Sequence, residues 1–301
     1  MNRPTLRREP RALAHALVCA LLAATLCGCA AASRGADPSQ PRSESSYPLT
    51  LAASEERAKA AGDAWARLAG EIGVAAPAQP EWQPITATLR ALPQASGPPL
   101  LLLPRVGSEE GKAPTDEETR EALRRFIAGA APLLGVVPAE LSLIAYGDAG
   151  ARLKRATYQQ NPFLYPMRGG YGRVEVTFAE DRRVVGLSST AIPGAEGLRR
   201  ALAASVATSK ITPERAAAAI SGRTLTYADA AGATQTREVG AQGQTSVREL
   251  VVLPVRSKAD AETLELRVAW EVAVGGGAPL LAYVDAITGE QVAVVLAAAG
   301  E

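Results

Sequence analysis

Hydrophobic and polar residues alternate most regularly near the end of the chain. Six apolar residues alternate with polar or small ones in LELRVAWEVAV, residues 264–274. Successive side chains of a strand point to opposite faces, so this pattern predicts a half-buried β-strand. In the following stretch YVDAITGEQV, we expect Asp285 to accept backbone N–H bonds across a tight turn and Gly289 to supply a positive φ. Both residues are therefore predicted to be structural, not catalytic or metal-binding.

A period of two also marks the middle of the chain. In GRVEVTFA, Val174, Val176 and Phe178 share one face, which predicts an antiparallel strand. EDRR then predicts a turn and VVGLSST the returning strand. Two more stretches, LSLIAYG and SVRELVVLPVR, predict strands at residues 141–147 and 246–256.

Helical spacing of apolar residues predicts four helices. The first covers residues 54–72, with Trp65 on its apolar face, where a core role is favoured over a partner anchor. Thr115 and Glu118 form a capping box at the start of the second. Two further helices are predicted over residues 198–208 and 212–222.

The start of the chain has the pattern of a lipoprotein signal peptide. Four Arg residues precede an apolar run from Ala12 to Leu26, which is too short to span a bilayer. The run ends in Leu-Cys-Gly-Cys, which resembles a bacterial lipobox with cleavage between Gly28 and Cys29 and the lipid on the Cys29 thiol. The alternative is an ordinary cleaved signal peptide with an incidental Cys.

Removal of this signal changes the composition that matters for chemistry. All three Cys and the single His lie at or before residue 29, so the mature chain has one Cys, which carries lipid, and no His. A disulfide framework is therefore excluded. The first 28 residues carry four Arg and one Glu, so the rest carries −2 of the chain's net charge of +1. That balance argues against a nucleic-acid partner, and the acyl chains must supply the membrane attachment.

The residues after Cys29 predict a flexible tether. They are small, polar and Pro-containing, so residues 29–50 are assigned to the lipidated Cys and a disordered segment. Ala30 follows the lipidated Cys, and by resemblance to enterobacterial sorting this predicts the periplasmic face of the outer membrane.

The mature chain offers few groups for catalysis. Without His it contains no His-Glu-x-x-His zinc helix and no Ser-His-Asp triad, and no P-loop or Gly-x-Ser-x-Gly spacing occurs. Acidic runs such as Glu109-Glu110 are interpreted as solvated turns or helix starts. We therefore expect no catalytic residue, cofactor or metal, and the alternative of a carboxylate-dependent enzyme is left open.

Two segments resemble the pro-region of thermolysin-like and fungalysin-like metallopeptidases. ALRRFIAGAAPLLGVVPAELSLIAYG, with TYQQ and YGRVEVTFAEDRRVVGLSST, resembles the fungalysin/thermolysin propeptide (FTP) domain. Tyr158, Gln159 and Gln160 fall where that family has a Gln-Tyr element, but NPFLYPMRGG replaces its Gly-x-Pro-Val. ITPERAAAAI, LELRVAWEVAV and YVDAITGEQV resemble a PepSY domain, which is the more specific match. The resemblance covers roughly residues 115–298 and lacks the peptidase domain.

The resemblance implies an α+β fold with two small domains, each a helix packed on a curved antiparallel sheet. The implied order is a signal peptide (1–28), a lipidated tether (29–50), an N-terminal helix with a Pro-rich strand segment (51–114), an FTP-like domain (115–196) and a PepSY-like domain (197–301).

The implied function is that of a non-catalytic binding protein of the cell envelope that inhibits a secreted metallopeptidase or assists its folding. An envelope scaffold with a non-peptidase partner is the alternative. The sequence does not predict the oligomeric state, nor whether residues 76–114 join a domain.

Overall fold

The computed structural model describes residues 47–71, 78–93, 101–107, 114–150, 152–240 and 244–297. These residues form an α+β fold with helices packed on antiparallel sheets, which confirms the predicted class, and they belong to one compact unit. The helices are α1 (Glu55–Glu71), α2 (Asp116–Gly129), α3 (Ala131–Leu134), α4 (Ala195–Ser209) and α5 (Pro213–Ala218). The strands are β1 (Leu49–Ala52), β2 (Glu81–Trp82), β3 (Leu89–Ala91), β4 (Leu141–Asp148), β5 (Leu153–Gln160), β6 (Arg173–Ala179), β7 (Val184–Ser189), β8 (Thr224–Ala228), β9 (Thr234–Glu238), β10 (Thr245–Arg256), β11 (Thr263–Val274), β12 (Leu280–Asp285) and β13 (Gln291–Leu296). No helix in these ranges is long and apolar enough to cross a membrane.

Five strands form the larger sheet around β11, the strand with the most regular alternation. β10 pairs with one side of β11, β12 and β1 pair with the other, and β13 follows β12. The apolar side chains of β11 enter a core that α4 and α5 cover. In α5, Thr212 caps the helix by accepting the N–H of Arg215, as its position before Pro213 indicates.

The first strand of this sheet comes from the predicted tether. Leu49 pairs with Leu266 and Thr50 with Glu265, so the assignment of residues 29–50 to a flexible segment extends too far. Leu49 is buried in the core of the larger sheet. The sequence did not reveal this strand for two reasons. Its four residues are too few to show a period of two, and the residues before Tyr47 are polar.

Four strands form the smaller sheet, in the order β4-β5-β6-β7. Its inner face meets α1, α2 and α3 in a second apolar core. The capping box of Thr115 and Glu118 is confirmed at the start of α2. Trp65 is 1% exposed in this core and donates its indole N–H to the Ala78 carbonyl, which confirms its core role.

The Pro-rich segment packs against the smaller sheet. The Leu101 carbonyl accepts the N–H of Val184, and Leu103 donates its N–H to the Arg182 carbonyl, so this stretch lies beside the start of β7. Leu89 of β3 and both of these Leu side chains enter the second core. The described part of residues 76–114 therefore packs mainly with the smaller sheet, while Ile85 enters the core of the larger one.

Candidate protein-binding site

Asp285 lies at the turn after β12, fully buried. Its Oδ1 accepts the backbone N–H groups of Ile287 at 2.8 Å and Thr288 at 2.9 Å. Gly289 has a φ of 76°, a left-handed conformation that favours glycine. Both residues thus have the turn geometry that sequence chemistry indicates.

The second carboxylate oxygen of Asp285 has partners from distant parts of the chain. Oδ2 accepts Arg267 Nη1 at 2.9 Å and the Tyr47 hydroxyl at 3.0 Å. Burial, followed by the negative charge of Asp285, raises the pKa of the Tyr47 phenol above its usual range. Both oxygens of Asp285 are therefore committed to structural bonds.

A second buried carboxylate, Glu271, lies on the opposite face of β11 from the main core. It accepts Arg168 Nε at 3.1 Å and the Tyr283 hydroxyl at 3.2 Å, and Arg248 Nη1 lies 3.5 Å away. Arg168 also pairs with Glu249 at 2.6 Å. Arg168 lies in the segment between β5 and β6, and it also donates its backbone N–H to the Val252 carbonyl of β10. The side-chain network and this backbone bond together join that segment to the larger sheet.

The geometry of these acids supports structural roles. Each of the two buried carboxylates is neutralised by an Arg within 3.1 Å. In the parts of the chain that the structure describes, no group of three or more His, Cys, Asp or Glu is placed to hold a metal ion. Gly28 and Cys29, the predicted cleavage and lipidation positions, lie outside the described residues.

The exposed feature of greatest interest is β4, an edge strand. Within the described ranges, β4 pairs with β5 alone, so the other side of its backbone has no strand partner. Leu143 and Ile144 are 37% and 54% exposed. The strand contains no Lys, Arg or Pro, the residues that commonly protect edges from pairing. A register shift between Leu143 and Ala145 marks a bulge at Ile144.

Three of the other edges of the two sheets have neighbours. Leu101–Leu103 lies beside the start of β7, and residues 166–168 bond to Val252 of β10. The β8–β9 hairpin contacts β13 through β8. At eight residues, β4 is the longest strand of the smaller sheet, jointly with β5, and it is longer than β1, a four-residue edge strand of the larger sheet.

A groove adjoins the start of β4. It has a volume of about 380 Å³. Its walls are mostly apolar, and its charged lining residues are Arg57 from α1 and Glu140, which directly precedes β4. Glu140 belongs to a short 3₁₀ helix, Pro138–Glu140, and its carboxylate accepts the backbone N–H of Val137.

Arg57 is held in place while part of its guanidinium stays unused. Its Nη2 donates to the carbonyls of Ala52 and Ile85. Its Nε is buried without a hydrogen-bond partner in the described structure. Sequence reasoning missed Arg57, because an Arg in the first turn of a helix is an ordinary surface residue. It did identify the β4 strand, though not its place at an edge.

No protein-family model matches the sequence, and no curated protein matches it.

Proposed function

We propose that this protein is a non-catalytic, lipid-anchored binding protein of the bacterial cell envelope, and that β4 receives an extended segment of its protein partner. The observation that carries the proposal is the uncovered edge of β4. Unpaired N–H and C=O groups along an edge bind an extended chain through main-chain hydrogen bonds, with side-chain contacts adding specificity. Exposed Leu143 and Ile144 supply the apolar contact at this edge.

The partner proposed is a secreted metallopeptidase. Support comes from the sequence resemblance to pro-regions, which in that family assist folding and hold the zymogen inactive. A detached pro-region lacks the covalent link that raises effective concentration. Lipidation at Cys29 would restore part of that effect by confining the protein to one membrane face, with the periplasmic face of the outer membrane as the proposed location.

Site-specific crosslinking in living cells tests this proposal. A photo-crosslinking amino acid is placed at Ile144 of the full chain, and captured proteins are identified by mass spectrometry. Val185 is the matched control, since it is also β-branched and is 49% exposed on β7, where Ile144 is 54% exposed on β4. We expect a secreted metallopeptidase to be captured from position 144 and not from position 185.

An activity assay separates binding from chance proximity. The purified protein should change the activity or the refolding yield of the captured peptidase, and Ile144→Lys should abolish that effect. Specific capture of an envelope assembly protein would move the function to the scaffold alternative. Equal capture from both positions, or an unimpaired Ile144→Lys variant, would contradict binding through β4.

A further inference from the structure

The groove beside β4 indicates the chain direction of the partner segment that β4 is proposed to bind. This inference rests on the proposed function. We propose that β4 binds the carboxyl-terminal segment of its partner, antiparallel to β4, with the terminal carboxylate in the groove beside Arg57.

The first step is the position of the groove relative to the strand. Glu140 lines the groove, and Leu141 is the first residue of β4. The groove therefore adjoins the N-terminal end of β4. Asp148 ends the strand at the opposite end.

The second step is the direction of the bound chain. A strand that runs antiparallel to β4 begins opposite Asp148 and ends opposite Leu141. Its last residues then reach the groove. A parallel strand would bring its amino-terminal end there, so the two directions place opposite terminal charges beside the same groove.

The third step is the charge of the groove. Arg57 is the basic residue of the lining, and neither its Nε nor its Nη1 donates a hydrogen bond to the described residues. Because Nε is buried, Nη1 is the donor that remains for a carboxylate in the groove. The acidic lining residue, Glu140, already accepts the backbone N–H of Val137 with one carboxylate oxygen, at 3.4 Å. An anionic end of a chain is therefore favoured over a cationic one.

The fourth step is the size and polarity of the walls. Small and apolar residues surround the two charged ones: Ala60, Ala87, Ala131, Pro132, Val136, Val137 and Pro193. A groove of about 380 Å³ is at the small end of ligand pockets, so it accommodates one or two terminal residues. The last side chain of the partner is expected to be aliphatic and of modest size.

Two peptide pools test the inference on the full-length protein purified in detergent. Both pools contain octapeptides with Thr at alternate positions and a mixture of Val, Ile, Leu and Phe at the others. One pool has free terminal carboxylates and the other is amidated. Retention on the immobilised protein is measured by mass spectrometry. We expect the free-acid pool to be retained at least about tenfold more strongly, because a hydrogen bond to a charged group is lost on amidation.

Variants at Ala60 supply a test that leaves Arg57 intact. Ala60 is exposed, lines the groove and lies one helical turn from Arg57. Ala60→Glu adds a negative charge beside the proposed carboxylate and should weaken retention of the free-acid pool about tenfold. Ala60→Gln has nearly the same size without the charge and should weaken it much less.

The outcomes separate this inference from the function on which it rests. Equal retention of both pools, lost in Ile144→Lys, would overturn the terminal-carboxylate inference and leave edge binding intact. The same conclusion would follow if amidated peptides with an internal Asp bound as well as free acids. Retention of neither pool, or retention unaffected by Ile144→Lys, would overturn both.

Discussion

Replacement of Tyr47 by Phe removes one oxygen atom that fills a gap in the larger sheet. On one side of β11, β1 pairs as far as Leu266, and β12 begins at Ala269. Val268 lies between them, and its N–H is accepted at 3.0 Å by the Tyr47 hydroxyl. The same hydroxyl donates to Asp285 Oδ2 at 3.0 Å. Tyr47 therefore substitutes for a missing strand partner.

The expected cost follows from these two bonds. Tyr47→Phe leaves the buried N–H of Val268 without its acceptor, which costs about 1–3 kcal/mol, and removes one bond to a charged carboxylate. Asp285 keeps three other donors, so the loss of its bond from Tyr47 should cost an amount at the low end of the range for hydrogen bonds to charged groups. We expect the free energy of unfolding to fall by about 2–4 kcal/mol. For a domain of this size, that lowers Tm by roughly 4–16 °C.

Urea unfolding and hydrogen exchange measure the two parts of this prediction. The Val268 amide should exchange faster in Tyr47→Phe, while amides at the centre of the β10–β11 pairing keep their relative protection. Tyr227→Phe is the control, because the Tyr227 ring stacks with Arg237 and its hydroxyl makes no hydrogen bond to the described residues. A change below about 0.5 kcal/mol in Tyr47→Phe, equal to that of the control, would refute the bridging role.

Three further predictions concern other parts of the molecule. Burial raises the pKa of Tyr158 to about 12, above its unfolded value near 10, so its contribution to stability is complete below pH 10 and is lost as the pH rises toward 12. Tyr158→Phe should flatten that alkaline decline in urea titrations, and an unchanged slope would contradict the assignment. Glu271→Leu should lower the free energy of unfolding by about 1–3 kcal/mol, since it removes the buried partner of the partly exposed Arg168, and a neutral result would show that Glu249 suffices as its partner. Thr115→Ala should cost about 1 kcal/mol through loss of the α2 cap, measured by thermal unfolding, and no change in Tm would show that the capping box is dispensable.

Local sequence chemistry predicted several elements because their causes lie within a few residues. The Thr115–Glu118 box, the apolar face with Trp65 and the alternation of β11 all depend on near neighbours along the chain. The β8–β9 hairpin was not predicted, because its strands are short, polar and largely exposed. Period-two patterns are visible in sequence only where one face is buried.

The sequence by itself indicated the main helices and strands and the faces that β6 and β11 bury, and its resemblance to a known family implied the α+β class. It also indicated the turn chemistry of Asp285 and Gly289. The tertiary structure decided which strands are neighbours: it placed Leu49 beside β11, brought Tyr47 to Asp285 and Arg168 to Glu271, and left one side of β4 without a strand partner. The physical reason is that an alternating pattern specifies the face of a strand but not its partner. Partners and edges depend on contacts between residues as much as 238 positions apart, which no local pattern contains.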